Sequence, residues 1–197
     1  MKNIIIFGAP GSGKGTYSAE IAARYGMGHI STGDVLRNEI KQGTELGKIA
    51  KGYIDNGQLI PDQLMIDILA LQYDSHPNGQ GVIFDGFPRT IPQAEALKQM
   101  LQQRGHELGM MIELVVDEET LMMRLLRRAD LEGRADDNEE TIRKRFAVYH
   151  SQTEPLSLWF ASQGIRHIFD WGICKTKEGM LEAIFAEIEK ENGIKKA

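Results

Sequence analysis

Five short apolar runs, separated by stretches of helical pattern, leave this chain little choice of architecture. The runs lie near Asn3–Phe7, Gly28–Ser31, Val82–Asp85, Met111–Val116 and Arg166–Phe169, and several (IIIF, VIF, IELVV) are almost purely apolar. A strand covered on both faces reads this way, whereas a half-exposed strand alternates. Helical periodicity covers Lys14–Tyr25, a pair within Gly33–Asn56, Asp62–Ser75, Pro92–Arg104, Glu118–Ala129, Asn138–Gln163 and Lys177–Glu191. Strands that alternate with helices imply crossover connections, hence a mainly parallel sheet with helices on both sides. Two stretches interrupt the alternation. Thr32–Ile60 carries two helical patterns and no strand, so it is expected to project as a small helical unit. Ala129–Asn138 is polar, contains Gly133 and reads as a loop between two helices. No internal repeat or low-complexity linker divides the 197 residues, so one α/β core is expected.

Composition narrows the function. The chain is 42% hydrophobic and 26% charged, as globular proteins are, with a net charge of −5. An acidic chain with scattered aromatics is a poor nucleic-acid or anionic-lipid binder, so neither partner is expected. The apolar stretch Ile4 to Gly8 is too short for a signal-peptide core, and no segment is apolar enough for a membrane span. A single cysteine, Cys174, excludes an intrachain disulfide framework, and a reducing cytoplasm is the expected compartment. Against this acidic average, Arg124, Arg127, Arg128, Arg134, Arg143 and Arg145 fall within 22 residues. That cluster calls for a local anionic partner.

The segment Gly8-Ala9-Pro10-Gly11-Ser12-Gly13-Lys14-Gly15-Thr16 supplies a second anion-seeking feature, directly between an apolar strand and a helix. Glycines let successive N–H groups curl inward around phosphate oxygens, and the helix N-terminus adds positive potential. Lys14 is expected to reach the outer phosphates. In the general motif a Ser or Thr follows the lysine and holds Mg²⁺. Here Gly15 intervenes before Thr16, which leaves Thr16 open as a phosphate contact, with the metal on nucleotide oxygens and water.

Four separated motifs, GAPGSGKGT (Gly8–Thr16), STGDVLR (Ser31–Arg37), DGFPR with TIPQ after it (Asp85–Gln93) and GRADDNEETIRKR (Gly133–Arg145), resemble those of the adenylate kinase family, in order and over nearly the whole chain. The resemblance implies a P-loop NTPase core with a five-stranded parallel sheet flanked by helices. It adds a small helical AMP-binding insert at residues 31–60 and a short lid at 127–138. It also implies reversible transfer of the terminal phosphoryl group of MgATP to AMP, giving two ADP. No strong exposed apolar stripe is apparent in the sequence, so a monomer is expected. The cysteines of zinc-stapled long lids are missing, so no zinc is expected. The alternative is a UMP/CMP kinase of the same fold. Thr32 and Gln93 argue against it, because those relatives typically carry Ala and Asn there.

The same resemblance distributes roles. Gly11, Ser12, Gly13, Lys14, Gly15 and Thr16 would cradle the ATP phosphates, Arg128 would reach them, and Arg124 would pack on the adenine. The bland alternative for both arginines is a solvated pairing with Glu118, Glu119 or Glu132, and Arg127 is expected in solvent. Asp85 ends an apolar strand, where such folds bind ligands, and would hold a water of the Mg²⁺ shell. The turn Gly86-Phe87-Pro88-Arg89 would aim Arg89 at the AMP phosphate, with Gln93 pairing to adenine. Thr32 is matched to the AMP base and Arg37 to its phosphate. Gln58, Leu59 and Ile60 would line the adenine pocket, or simply pack in the core. Arg134 is matched to AMP and the transferring phosphate, and Asp136 to lid closure or to capping the next helix. Arg145 falls within a helical stripe of Ile142, Phe146, Tyr149, Thr153 and Leu156, so it needs an anion, either the AMP phosphate or Asp136 or Asp137. Lys14, Arg89, Arg128, Arg134 and Arg145 are the expected catalytic cations. No Asn-Lys-x-Asp guanine motif supports a GTPase. Asp170-Trp171-Gly172 resembles the family's adenine-facing turn, but 173–179 departs from it, and Tyr17 stands where the family often has Gln.

Overall fold

The computed structural model describes residues 2–76 and 81–192. Its elements run β1 (Asn3–Gly8), α1 (Lys14–Tyr25), β2 (Gly28–Ser31), α2 (Thr32–Gln42), α3 (Glu45–Ile54), α4 (Asp62–Asp74), β3 (Val82–Asp85), α5 (Ile91–Gln103) and β4 (Leu108–Val115). They continue with α6 (Glu118–Glu132), α7 (Glu139–Val148), α8 (Pro155–Ser162), β5 (Arg166–Asp170), α9 (Trp171–Cys174) and α10 (Lys177–Glu191). The strands form one parallel sheet in the order β2-β3-β1-β4-β5, with β1 at its centre.

The nearly pure apolar strands are explained by what lies on each side. Ile4 and Ile6 of β1, Ile83 of β3 and Met110, Ile112 and Leu114 of β4 pack with Tyr17 and Ile21 of α1 and Met180, Ile184 and Ile188 of α10. The alternate residues Ile5, Phe7, Val82, Phe84 and Met111 pack on the other face with Leu69, Leu97, Leu101, Leu156 and Phe160 from α4, α5 and α8. A third cluster joins Leu121 and Leu125 of α6 to Ile142 and Phe146 of α7. Glu113 is the one acid in the β4 run. It is tolerated in the interior because Ser157 and Arg166 both donate to its Oε2.

Local signals set the helix starts. Side chains of Ser31, Thr44, Thr90, Asp117, Asn138 and Thr176 accept an N–H of the following turn in α2, α3, α5, α6, α7 and α10. Asn138 is thus the cap of α7, which corrects the capping alternative for Asp136. The structure differs from the sequence reading elsewhere too. The expected loop 129–138 is mostly helical: α6 runs on to Glu132 and is closed by Gly133, and a 3₁₀ turn covers Ala135–Asp137. The expected single helix 138–163 is interrupted by a π turn at Tyr149–Thr153, where Glu154 N donates to Tyr149 O at 2.8 Å. Pro155 is the physical reason. It cannot donate to an earlier carbonyl, so the α pattern must restart with it in the first turn of α8. β4 starts three residues before the expected Met111, and α9 was not anticipated. Among the described residues no helix is long and apolar enough to cross a membrane.

Phe84 is fully buried at the sheet centre and stacks on Tyr73 with centroids 5.9 Å apart. Phe84→Ala is expected to cost about 3–5 kcal/mol of unfolding free energy, read from the shift of the urea midpoint at unchanged slope.

Candidate active site

The glycine loop leaves the carboxyl end of β1 and enters α1 with Lys14 as the first helical residue. Gly8 and Gly11 have φ of 144° and 86°, a region L side chains avoid. A Cβ on Gly8 would also lie 2.7 Å from Leu114 O, and one on Gly11 2.9 Å from Leu125 Cγ. The loop therefore presses against β4 and α6. Lys14 Nζ folds back over the loop and donates to Gly8 O at 2.7 Å and Ala9 O at 2.9 Å. Ser12 is buried, and its Oγ has no hydrogen-bond partner.

Beyond this loop opens a cleft of about 780 Å³. Gly11, Gly13, Lys14, Gly15, Thr16, Arg124 and Arg128 line it, together with Asp85, Pro88 and Arg134. Ser12 does not, since it lies beneath the loop surface. A smaller cavity of about 80 Å³ adjoins it. Thr32, Arg37, Gln58, Leu59, Ile60, Gly86, Phe87, Arg89, Gln93 and Arg145 line that one. Arg37, Leu59, Gly86, Phe87, Arg89 and Arg145 belong to both. Apart from Ser12, the residues matched to the ATP phosphates line only the large space, whereas most of those matched to AMP line the small one; Pro88 and Arg134 line only the large space, and Arg37, Arg89 and Arg145 stand where the two meet.

Arg37, Arg89, Arg128, Arg134 and Arg145 are each held by a specific partner. Arg128 makes a bidentate pair with Asp137, Nε to Oδ2 at 2.6 Å and Nη2 to Oδ1 at 2.8 Å. This replaces the expected alternative pairing with Glu118, Glu119 or Glu132. Arg145 donates Nη1 to Asp137 Oδ1 at 2.8 Å and to Asp136 Oδ2 at 3.1 Å, so its carboxylate alternative is realised here. Arg134 pairs with Glu132, Arg37 with Asp34, and Arg89 Nε donates to Gly86 O at 2.7 Å. Arg127 is exposed, as expected. The peptide Phe87–Pro88 is cis.

Two readings gain detail. Gln93 is buried with both ends of its amide engaged: Oε1 accepts from Arg89 N, and Nε2 donates to Asp62 Oδ1 at 2.7 Å. It braces the Arg89 turn, and only the second N–H and the second lone pair are left for a base. Ile60 is buried in the main core and also lines the small cavity, while Gln58 is exposed and Leu59 half-buried beside it. Thr32 is buried, with Oγ1 3.4 Å from Asp85 O.

Electrostatics shows what the cleft lacks. The Lys14 ammonium is pulled down to about 7, first by burial and then by Arg89, Arg145 and Arg128, against the opposing pull of Asp85. Desolvation and then Arg145 draw the Arg89 guanidinium down to about 10. Arg145 is lowered mainly by burial, although Asp136 and Asp137 oppose it. Burial would raise the Asp137 carboxyl, but Arg128 and Arg145 together hold it below the ordinary range. Like charges that depress one another in this way are short of anions. Asp85 is buried at the end of β3, with His29 Nε2 3.7 Å from its Oδ2. His29 also lines the cleft, and its Nε2 is buried without a hydrogen-bond partner. Sequence reading missed His29, although its place on a strand directly before the STGD motif is a usable signal.

A glycine loop at a helix N-terminus, a carboxylate at the next strand end and converging arginines define a P-loop phosphotransferase that takes two phosphorylated ligands. The adenylate kinase family model matches residues 6–165. The chain is 61% identical over 189 residues to the adenylate kinase of Phocaeicola vulgatus, covering 95% of this chain and 96% of the relative. It is 60% identical over 190 residues to that of Bacteroides fragilis, covering 96% and 99%, and 55% identical over 196 residues to that of Parabacteroides distasonis, covering 99% and 100%. The chain belongs to the adenylate kinase family.

The lowered Lys14 makes a signed prediction for the nucleotide-free protein. Its folded value near 7 lies below the unfolded 10.5, so the unfolded chain binds more protons between these values. The cost of keeping Lys14 charged is full below pH 7 and is relieved as pH rises towards 10.5. Lys14→Met is therefore expected to be more stable than the native chain at pH 7. The difference should shrink steadily by pH 10 in urea unfolding, and a difference independent of pH would contradict the assignment.

Proposed function

We propose that this cleft transfers the terminal phosphoryl group of MgATP to AMP, reversibly, giving two ADP. The observation that carries the reading is that Lys14 and Arg128 in the large space gather beside Arg89 and Arg145, which line both spaces, closely enough for the three arginines to depress Lys14. Such cations need polyanions, and two spaces meeting at one cationic seam suit two nucleotides whose phosphates must touch.

In this reading the loop N–H groups and Lys14 hold the outer ATP phosphates, while Arg37, Arg89 and Arg145 hold the AMP phosphate. Arg128 and Arg134 balance charge on the group in flight. Little covalent chemistry is asked of the protein, because a phosphate oxygen of AMP is already the nucleophile and no base is required. Alignment and fixed positive charge supply the rate. The small cavity takes the AMP base, with Thr32, Gln58, Leu59 and Gln93 at its wall. Asp136 and Asp137 occupy the turn between α6 and α7 and hold Arg128 and Arg145 when no phosphate does. Arriving phosphates compete for the same guanidiniums, which couples ligand binding to the position of the lid at 127–138. The insert at 31–60 is the second unit that closes, and closure excludes water that would hydrolyse ATP.

The site fits Mg²⁺. One buried carboxylate beside a phosphate loop is the donor set this ion uses, with water and nucleotide oxygens completing the shell. Asp85 would hold it through water, where it offsets phosphate charge. Thr16 is exposed in the cleft one residue beyond the usual ligand position and suits a phosphate contact.

Arg89→Ala, Arg128→Ala and Arg145→Ala are each expected to lower kcat/KM by about 10²-fold or more in a coupled assay. Near-normal kinetics in all three would refute the site. With AMP, CMP and UMP as acceptors, AMP is expected to be the good substrate. Fast turnover of CMP without AMP would establish the UMP/CMP kinase alternative instead.

A further inference from the structure

Asp62 opens α4 and lines neither space of the site, although Ile60 of the small cavity's wall stands only two residues before it. Its carboxylate serves the turn that carries Arg89. Oδ1 accepts from Thr90 Oγ1 at 3.1 Å and from Gln93 Nε2 at 2.7 Å. Thr90 in turn caps α5, where its Oγ1 accepts Gln93 N at 3.3 Å. One carboxylate oxygen thus ties the start of α4 to the start of α5 and takes hold of the Gln93 amide on the way.

A side-chain amide can be turned end for end with almost no change of shape, so only its partners decide which way it lies. Here the partners leave one choice. The backbone N–H of Arg89 is a donor and must meet the amide oxygen, which it does at 2.8 Å. The Asp62 carboxylate is an acceptor and must meet the amide nitrogen. Turned over, Gln93 would set its oxygen against a carboxylate and its N–H against an N–H, at a position only 1% exposed. Gln93 also lines the small cavity, so its second N–H and second lone pair come to that wall in a fixed order. Adenine offers an amino donor beside a ring-nitrogen acceptor and suits that pair. A 6-oxopurine has a carbonyl oxygen where the amino group stands and would meet the amide oxygen to oxygen.

We propose that Asp62 is a positioning residue for acceptor choice: it holds the Gln93 amide in the one orientation that accepts a 6-aminopurine monophosphate and refuses a 6-oxopurine monophosphate. This rests on the reading of the small cavity as the acceptor-base site and deepens it, by naming the group that sets the order of donor and acceptor there. Asp62 acts through Gln93 and stands outside both spaces.

The test is steady-state kinetics of the native chain, Asp62→Asn and Asp62→Glu, with ATP as donor and AMP, IMP and GMP as acceptors. Asparagine keeps the shape but can offer either end of its own amide, so it no longer dictates how Gln93 lies. Asp62→Asn is expected to raise KM for AMP roughly tenfold, the scale of one hydrogen bond, and to narrow the AMP-over-IMP preference in kcat/KM by a similar factor. KM for ATP and kcat with AMP should stay within about twofold. Asp62→Glu, still an acceptor only, should recover most of the preference. A merely structural role at the start of α4 would slow all acceptors alike, and an unchanged AMP-to-IMP ratio in Asp62→Asn overturns the proposal. If Asp62→Asn does not fold, the native chain decides, with its glutamine side chains labelled with ¹⁵N and the Gln93 signal identified by its loss in Gln93→Met. One Gln93 amide proton is expected downfield and slow to exchange, and AMP but not IMP should shift its twin. Fast exchange of both protons, or equal shifts with AMP and IMP, overturns the proposal. Failure of the native chain to convert ATP and AMP to ADP would bring down the functional reading itself, whereas the amide signal reports the lock on Gln93 without turnover.

Discussion

The structure is organised around a concentration of positive charge that water alone would stabilise better than a cleft does. Lys14, Arg89, Arg128 and Arg145 crowd the carboxyl edge of the sheet: the three arginines lower the proton affinity of Lys14, Arg145 lowers that of Arg89, and Arg128 that of Arg145. Such an arrangement survives in the folded chain because carboxylates are threaded through it. Asp85 opposes the loss of charge on Lys14, and Asp137 bridges Arg128 and Arg145. Each acid is itself fixed by the fold, one at the end of β3 and the other in the turn between α6 and α7. These carboxylates offset the crowded positive charge within the fold itself.

The rigid part of the molecule supplies the reference frame for that charge. Two apolar layers clamp the sheet from both sides, so the strand ends that carry Gly8, Ser31 and Asp85 cannot drift relative to one another. The turn between α6 and α7 is fastened differently, by the small separate cluster of Leu121, Leu125, Ile142 and Phe146 and by the Asp137 bridge. A small cluster and a few ion pairs hold more weakly than a two-sided core, so Arg128 and Arg145 sit on a less firmly packed part of the fold than Lys14 and Asp85 do. The π turn at Tyr149–Thr153, whose residues also line the cleft, sits between these two regimes.

Much of this was legible in the residues. The apolar runs yielded all five strands and the parallel topology, because burial on both faces leaves a pattern that needs no tertiary information. The glycine loop and the DGFPR turn were readable because their backbone conformations permit few residue types. What escaped has a common cause. The continuation of α6 to Glu132, the π turn before Pro155 and the short helix α9 depend on packing and on which carbonyls lose their donors. That Gln93 also donates to Asp62, a residue thirty-one positions earlier, and accepts from Arg89 N is invisible in the local pattern. His29 was passed over although it stands on the strand that leads into the STGD motif.

The sequence by itself determined the fold class, the family and the identity of the cations, since periodicity, turn chemistry and residue type are local properties. Tertiary structure alone decided which anion each cation faces, which residues of the two nucleotide sets share a wall, and that Arg124 is held by an aromatic ring instead of a carboxylate. The physical reason is that electrostatic and stacking interactions act over distances of a few ångströms in space. They join residues such as Arg124 and Trp171, forty-seven positions apart, and only the folded chain brings these together.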